Sequence, residues 1–196
     1  PPPRPPIHPC LKYIFLFYFC TRYKKAILYL VQIVHFVPGT KHPFWGQVRS
    51  MPRPPRTIDP NGYYHVISRS INDTWIFKDN NDFVYFYNLL GVAKKKFPVR
   101  LFHYVFMNTH FHLVLQVIDP VDLPDHLRLI KLNYTKWVQK KYKWKGPLWR
   151  ERYKNIPIEN EFYLAVCGTY VEWNPVRAGI CEDPSKYKFS SYRKHH

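Results

Sequence analysis

Residues 99 to 118, VRLFHYVFMNTHFHLVLQVI, decide the fold. Two runs, residues 99–107 and 110–118, are rich in the β-branched and aromatic residues that are typical of strands. Only Asn108-Thr109 separates them. A two-residue link between two such runs predicts an antiparallel β-hairpin.

The second strand of this hairpin has histidines on one face and apolar side chains on the other. Successive side chains point to opposite sides of a strand, so His110 and His112 share one face, with Cα atoms about 6.5–7 Å apart. Phe111, Leu113 and Leu115 take the other face, which we expect to be the core.

The flanking sequence extends the hairpin into an α+β pattern. It predicts a strand over residues 63–68, a helix capped by Asp79, a helix opened by Pro124 and Asp125, a strand within residues 152–158, and a third helix that carries Phe162, Val166, Thr169 and Trp173 before Pro175. The order βαββαβα suits an antiparallel sheet with helices packed on one face.

Composition narrows the class of protein. The chain has 196 residues, with 30 Lys and Arg against 13 Asp and Glu, and a formal net charge of +17. Its 46% hydrophobic content is too apolar for a disordered polycation. Four cysteines without a CxxC pair exclude a zinc ribbon and a disulfide-dense mini-protein. The charge predicts a polyanionic partner, either nucleic acid or an anionic membrane surface.

The first 50 residues differ from the rest of the chain. They contain eight of the 19 prolines and seven Lys or Arg residues, but no acid. Their apolar stretches, residues 13–20 and 26–37, are shorter than the roughly 18–20 residues of a membrane span. They are interpreted either as upstream sequence behind a misassigned start or as a basic arm that binds a membrane or a partner. We expect the functional domain to be residues 51–196, which keep a net charge of +10.

The candidate chemistry centres on the histidine pair. Two neutral imidazoles on one strand face can chelate a divalent ion, although two surface or hydrogen-bonded histidines are the alternative. Tyr170 and Asn174 lie four residues apart on the third predicted helix, hence on one helix face. If that helix covers the histidine strand, the Asn174 amide oxygen lies beside the metal and the Tyr170 hydroxyl near a bound phosphate. Otherwise Tyr170 fills the core and Asn174 caps the helix.

Three other polar residues are candidates for the same site. His65 is interpreted as a buried core histidine rather than a site residue. Glu172 lies about 200° around the helix from Tyr170, so we expect it to face elsewhere. Tyr134 is a rival nucleophile, but its helical spacing from apolar neighbours favours core packing.

Cations and aromatic rings alternate through one short stretch of the chain. Cations bind phosphates and flat rings stack on unpaired bases, at about 1–3 kcal/mol per stacked base. A solvated helix flank beside core aromatics is the alternative. The predicted DNA-binding residues are Arg128, Lys136, Lys140, Lys141, Trp144, Trp149, Arg150 and Arg152.

Taken together, several motifs resemble the REP-associated tyrosine transposases, a group of the one-tyrosine, HUH-type transposases that act on single-stranded DNA. The motifs are HFHLVL (110–115), YVEWNPVRAG (170–179), SSY (190–192), YHVISR (64–69), IFKD (76–79) and LWRERY (148–153). The likeness extends from about residue 51 to residue 193. The ordered set with these spacings is specific, whereas the His-x-His motif alone is weak.

The resemblance implies a ferredoxin-like βαββαβ sheet with an HUH-type nuclease core. It also implies Mg²⁺ or Mn²⁺ bound by His110, His112 and Asn174, with Tyr170 as the nucleophile that forms a 5′-phosphotyrosine at hairpin-forming repeats. One departure stands out, because the family's Met-Pro-Asn before the histidines is replaced by Met107-Asn108-Thr109. Loss of the proline is expected to loosen the positioning of the pair.

The expected partner is single-stranded or hairpin DNA, met in the cytoplasm in association with the nucleoid. No small-molecule cofactor and no membrane are expected as partners. The sequence does not decide between a monomer and a homodimer. A catalytically degenerate single-stranded DNA-binding protein of the same fold is the alternative function. A metal-dependent nuclease that uses water and a membrane-surface protein driven by residues 1–50 are further rivals.

Overall fold

The structure, a computed structural model, describes residues 57 to 195. The interpretations of residues 1–50 therefore lie outside the described residues. One four-stranded sheet has the order β2-β3-β1-β4, and every neighbouring pair is antiparallel. The strands are β1 (Tyr63–Arg69), β2 (Val99–Met107), β3 (His110–Val117) and β4 (Lys154–Ile158). The predicted hairpin is confirmed as β2 and β3.

Five α-helices accompany the sheet in the described part of the chain. They are α1 (Asn80–Lys96), α2 (Asp122–Tyr142), α3 (Glu161–Glu172), α4 (Asn174–Arg177) and α5 (Tyr192–His195). Short 3₁₀ turns occupy Ile71–Asp73 and Pro184–Lys186. The order βαββαβα and the α+β class are as predicted. Within residues 57–195, no helix combines the length and the apolar character that crossing a membrane requires.

The two faces of the sheet bury different kinds of side chain. Phe111, Leu113 and Leu115 of β3 are fully buried in the main core, together with apolar residues of α1 and α2. These are the residues that strand alternation predicted to face inward. The two helices of the βαββαβ core therefore pack on one face, as expected.

The opposite face carries the histidine pair and is covered by α3. A smaller apolar cluster joins Val105 of β2, Val114 of β3 and Val171 of α3. The apolar residues Phe162 and Val166 do not mark the buried face of α3, because they are 51% and 47% exposed. The helix instead turns its smaller residues towards the sheet, and this brings its C-terminal turn over the histidines.

A buried carboxylate ties α1 to α2. Asp79 caps α1 as predicted, and its side chain and that of Asp82 form a reciprocal capping box. The Asp82 side chain is fully buried. It accepts hydrogen bonds from Trp137 Nε1 (3.0 Å), Lys141 Nζ (2.8 Å) and Tyr142 Oη (2.7 Å). Burial raises the pKa of Asp82, but these hydrogen bonds outweigh it and hold the pKa below its usual value.

Replacing Asp82 with Asn is expected to lower the free energy of unfolding by about 3 kcal/mol. That is the lower end of the cost of breaking a buried ion pair, because Lys141 keeps its contact with Asp79. Urea denaturation followed by circular dichroism measures it. The matched control is Asp125→Asn, which removes a half-exposed carboxylate paired with Arg128 on the surface. It should cost about 0.5 kcal/mol or less, and equal losses in the two variants would contradict the assignment.

The unmodified protein and the Asp82→Asn variant should also differ in how their free energies of unfolding depend on pH. Because the folded-state pKa of Asp82 lies below its unfolded value, its contribution is complete above the unfolded pKa of about 3.9 and is lost as the pH falls through the folded pKa. The stability of the unmodified protein should therefore fall more steeply below pH 4 than that of Asp82→Asn. Parallel curves of unfolding free energy against pH would reject this role.

Candidate active site

The imidazoles of His110 and His112 lie side by side on β3, with ring centroids 5.0 Å apart. Strand pairing fixes their surroundings. In the register of the sheet, Arg69 of β1 is opposite His110, and Ile67 of β1 is opposite His112. Both histidines therefore lie on a strand that is paired on both sides rather than on an edge strand.

Each imidazole of the pair has a hydrogen-bond partner at Nδ1. The Thr109 hydroxyl lies 2.9 Å from His110 Nδ1, and His65 Nε2 lies 2.8 Å from His112 Nδ1. A hydrogen bond at one ring nitrogen orients the ring and directs the other nitrogen towards a metal. Nε2 is thus the atom that each ring offers as a ligand.

Burial keeps the three imidazoles neutral. It lowers the pKa of His65 and of His110 to about 4, and it lowers the pKa of His112 well below the usual value. Neighbouring charge adds to burial, because Arg69 lowers the pKa of both members of the pair and Arg177 lowers that of His112. Neutral imidazole is the form that binds metal ions.

Tyr170 stands beside these rings at the end of α3. Its ring centroid lies 6.1 Å from that of His65 and 6.3 Å from that of His112. The side chain is 37% exposed, so a substrate can reach it. Tyr170 is therefore not core filler, which was the alternative interpretation of this residue.

Asn174 follows Tyr170 by four residues, at the start of α4. Its Nδ2 donates to the carbonyl oxygens of Tyr170 (3.1 Å) and Val171 (3.2 Å). These bonds use both amide hydrogens in a helix-capping role, which leaves Oδ1 as the amide atom that can ligate a metal. Coordination by Asn174 stays a prediction.

The structure also places the other candidate residues. Glu172 is buried and accepts hydrogen bonds from His103 (2.9 Å) and Ser191 (2.7 Å), so it faces away from Tyr170 as predicted.

Tyr134 is fully buried and donates to the Ile76 carbonyl, in agreement with core packing. His65 is buried as predicted, but its partner is His112. It is thus a hydrogen-bonded buried histidine that also lies beside the candidate site.

Two arginines at this site were missed by the sequence reasoning. The Arg177 guanidinium lies 3.8 Å from the centroid of the Tyr170 ring and donates to the Tyr170 carbonyl oxygen. Arg69 is the strand neighbour of His110. The sequence spacing is consistent with a place for both arginines at the site, because Arg69 shares a strand face with His65 and Arg177 lies two helical turns beyond Tyr170. This spacing becomes informative only once it is known that α3 lies over β1 and β3.

The predicted DNA-binding residues divide into two groups. Three are only partly exposed: Lys141 is paired with Asp79 and Asp82, Trp149 Nε1 donates to Thr135 Oγ1 at 3.0 Å, and Trp144 packs against the main core. These contacts give the three residues a part in the stability of the fold, and their contact with DNA stays a prediction. The five that remain exposed are Arg128, Lys136, Lys140, Arg150 and Arg152.

The position of α3 depends on a glycine. A Cβ at Gly168 would lie 2.5 Å from Nε2 of His103 on β2, so the helix can approach the sheet this closely only where a side chain is absent. The His103 ring cannot simply move aside, because its Nδ1 bonds to Glu172 of the same helix.

Comparison with known proteins identifies a matching family and solved structures with which the chain can be compared. Residues 60–174 match the family described as "Transposase IS200 like". The fold is similar to that of a REP-associated tyrosine transposase bound to a REP hairpin, with a TM-score of 0.63 and 18% identity over 74% of this chain and 84% of that chain. A putative transposase from Deinococcus radiodurans is similar at a TM-score of 0.42, with 19% identity over 61% of this chain and 95% of that chain. No curated protein matches the sequence.

Replacing Gly168 with Ala is expected to destabilise the protein by about 1–3 kcal/mol, because the new methyl group meets the His103 ring. The matched control is Gly91→Ala in α1, where a Cβ would meet nothing within 4 Å. That change should stabilise the protein by about 0.5–1 kcal/mol, as removal of a helix glycine usually does. Urea denaturation measures both, and stabilisation by Gly168→Ala would show that α3 does not approach β2 this closely.

Proposed function

This chain belongs to the IS200-like transposase family, and from that premise we propose that it cleaves and rejoins single-stranded DNA through a 5′-phosphotyrosine formed on Tyr170. We propose hairpin-forming repeats as its substrate, since the REP-associated transposase with a similar fold is bound to a REP hairpin. Membership of the family makes the chain a transposase and hence a DNA-processing enzyme. The chemistry, the residues and the substrate are our proposal.

One observation supports this proposal more than any other. The exposed phenol of Tyr170 lies beside two neutral imidazoles, with its ring centroid 6.3 Å from that of His112. Nucleophilic catalysis by a side chain requires the nucleophile to stand next to the groups that bind and polarise the substrate. α3 and β3 bring these groups together although some 60 residues separate them.

The donor set fits a divalent cation that keeps open positions. His110 Nε2, His112 Nε2 and Asn174 Oδ1 would offer two nitrogens and one oxygen, which would leave positions for phosphate oxygens and water. Both imidazoles are neutral and held at Nδ1, which is the arrangement that metal-binding histidines require. We propose that these residues hold Mg²⁺ or Mn²⁺, which when bound neutralises negative charge on the scissile phosphate.

The residues of the chain supply the rest of the reaction. The Tyr170 hydroxyl attacks the phosphorus atom, so that an O–P bond forms to Tyr170 as the bond from phosphorus to the 3′ oxygen breaks. The phenol loses its proton and the departing 3′ oxygen gains one. Arg177, which lies against the Tyr170 ring, and Arg69, beside His110, place positive charge where the phosphate must sit. Rejoining is the reverse step, with a 3′-OH attacking the phosphotyrosine.

The exposed cations support binding of the DNA strand. Arg150 is hydrogen-bonded through its backbone N–H to the Arg69 carbonyl (3.0 Å), so it lies next to the site. Arg128, Lys136 and Lys140 extend the positive charge along α2. We propose that this surface binds backbone phosphates, whose neutralisation makes affinity strongly dependent on salt.

Tyr170→Phe is expected to abolish the covalent protein–DNA product while leaving DNA binding within about twofold, because the ring stays and only the nucleophilic oxygen is lost. The substrate is a hairpin-bearing single strand in Mn²⁺, labelled at its 3′ end. A 5′-phosphotyrosine retains that label in a slowly migrating band under denaturing conditions. The same strand labelled at its 5′ end should release a free fragment ending in 3′-OH.

Tyr163→Phe is the matched control, since it removes a phenol two turns earlier on the same helix. Its covalent product should equal that of the unmodified protein. Cleavage without a covalent product would instead support a nuclease that uses water. Binding without cleavage, with or without metal, would support a catalytically degenerate DNA-binding protein.

His65→Ala is expected to raise the Mn²⁺ concentration needed for half-maximal cleavage by about 10- to 100-fold, because His112 loses the partner that orients its ring. The maximal rate at saturating Mn²⁺ should stay close to that of the unmodified protein. His65→Gln, which can still bond to Nδ1, should restore much of the affinity. His112→Ala should not be rescued by added Mn²⁺, and rescue of both alanine variants alike would contradict the positioning role of His65.

A further inference from the structure

A second group of metal-ligating side chains lies on the far side of α3 from Tyr170. Among residues 57–195, His103, Glu172 and His195 bring their ligand atoms within 4.8 Å of one another. They come from β2, α3 and α5, three elements that are distant in sequence. The proposed reaction does not use them.

The three side chains converge on one point. His103 Nδ1 and His195 Nδ1 each lie 2.9 Å from the same carboxylate oxygen, Oε1 of Glu172. The Ser191 hydroxyl lies 2.7 Å from that oxygen as well. Three donors thus crowd around one oxygen atom, which has two lone pairs to offer.

We propose that His103, Glu172 and His195 form a zinc-binding site, separate from the imidazole pair. Two imidazole nitrogens and a carboxylate are a common zinc ligand set, with bonds of about 2.0–2.2 Å and a fourth position for water. Tetrahedral bonds of that length place ligand atoms about 3.3 Å apart. The 2.9 Å contacts to Glu172 would lengthen by a few tenths of an ångström, and the ligand atoms of His103 and His195, within 4.8 Å of each other, would take the same spacing.

Charge and access also fit a divalent cation. Glu172 is a buried carboxylate with a side chain 3% exposed, whereas the side chains of His103 and His195 are 22% and 36% exposed. A cavity of about 340 Å³, lined in part by Ser191 and His195, opens beside the cluster and provides a path for entry. Two imidazoles with a carboxylate form one of the known zinc ligand sets, and the negative charge of Glu172 distinguishes this cluster from the neutral set of His110, His112 and Asn174.

Binding here would fasten the C-terminal helix to the sheet. α5 is a single turn, and His195 is its last residue, so a shared ion would add a tie from α5 to α3 and β2. The inference concerns binding alone and does not rest on the proposed DNA chemistry.

The test is a zinc titration of the full-length protein after treatment with a chelator. A chromophoric chelator competes for Zn²⁺ and reports the zinc affinity. One series of titrations uses a background that carries both His110→Ala and His112→Ala, which removes the other imidazole pair. We expect one tight zinc ion that survives the double substitution. Glu172→Gln should weaken it by about tenfold or more, because one of three protein ligands is lost. The series is repeated with the histidine pair intact, in case the double variant folds poorly.

Glu182→Gln is the matched control, because it removes an exposed carboxylate paired with Lys186. It should leave the zinc affinity unchanged. His195→Ala provides a second variant at a half-exposed position, and it should weaken zinc binding as Glu172→Gln does. Equal zinc affinity in Glu172→Gln and Glu182→Gln would overturn the proposal, as would displacement of Zn²⁺ by millimolar Mg²⁺. In either case the cluster would be a hydrogen-bonded brace without a metal.

Discussion

The two-residue alternation of β3 is the constraint on which the rest of this structure depends. Phe111, Leu113 and Leu115 enter the main core, which forces His110 and His112 onto the opposite face. A shift of one residue in register would bury both imidazoles among phenylalanines and expose the core. The hydrophobic effect on one face thus fixes the position of the polar chemistry on the other.

The second requirement is that a helix lies close to the imidazole face. α3 achieves this with small and polar residues at its contact with the sheet, since Gly168 allows the close approach to His103 and Val171 packs in the smaller core. Glu172, held by His103 and Ser191, fixes the rotation of the helix about its axis. With that rotation set, Tyr170 emerges beside His112, and Arg177 follows two turns later over its ring.

The turn before the histidines departs from the family pattern and is tied to neighbouring segments by hydrogen bonds. Asn108 and Thr109 replace the expected proline and asparagine, and their carbonyl groups accept hydrogen bonds from outside the hairpin. Asn108 O binds the N–H groups of Ile76 (2.8 Å) and Phe77 (3.1 Å), and Thr109 O binds that of Ser70 (2.8 Å). The Thr109 hydroxyl also contacts His110 Nδ1. These hydrogen bonds hold the turn against β1 and the segment that precedes α1, and that of the Thr109 hydroxyl reaches His110 itself.

The sequence by itself determined the order of elements, the hairpin and the side of β3 that carries the imidazoles, because these follow from local periodicity and turn length. It also predicted that Tyr170 and Asn174 lie near each other, although the structure ends α3 at Glu172 and places Asn174 in α4. Only the tertiary structure decided which face of α3 meets the sheet, since the exposed Phe162 and Val166 mimic a core stripe. It likewise decided that His65 bonds to His112 and that Trp149 and Lys141 stabilise the fold. Those facts depend on contacts between elements far apart in the chain, and no local pattern encodes them.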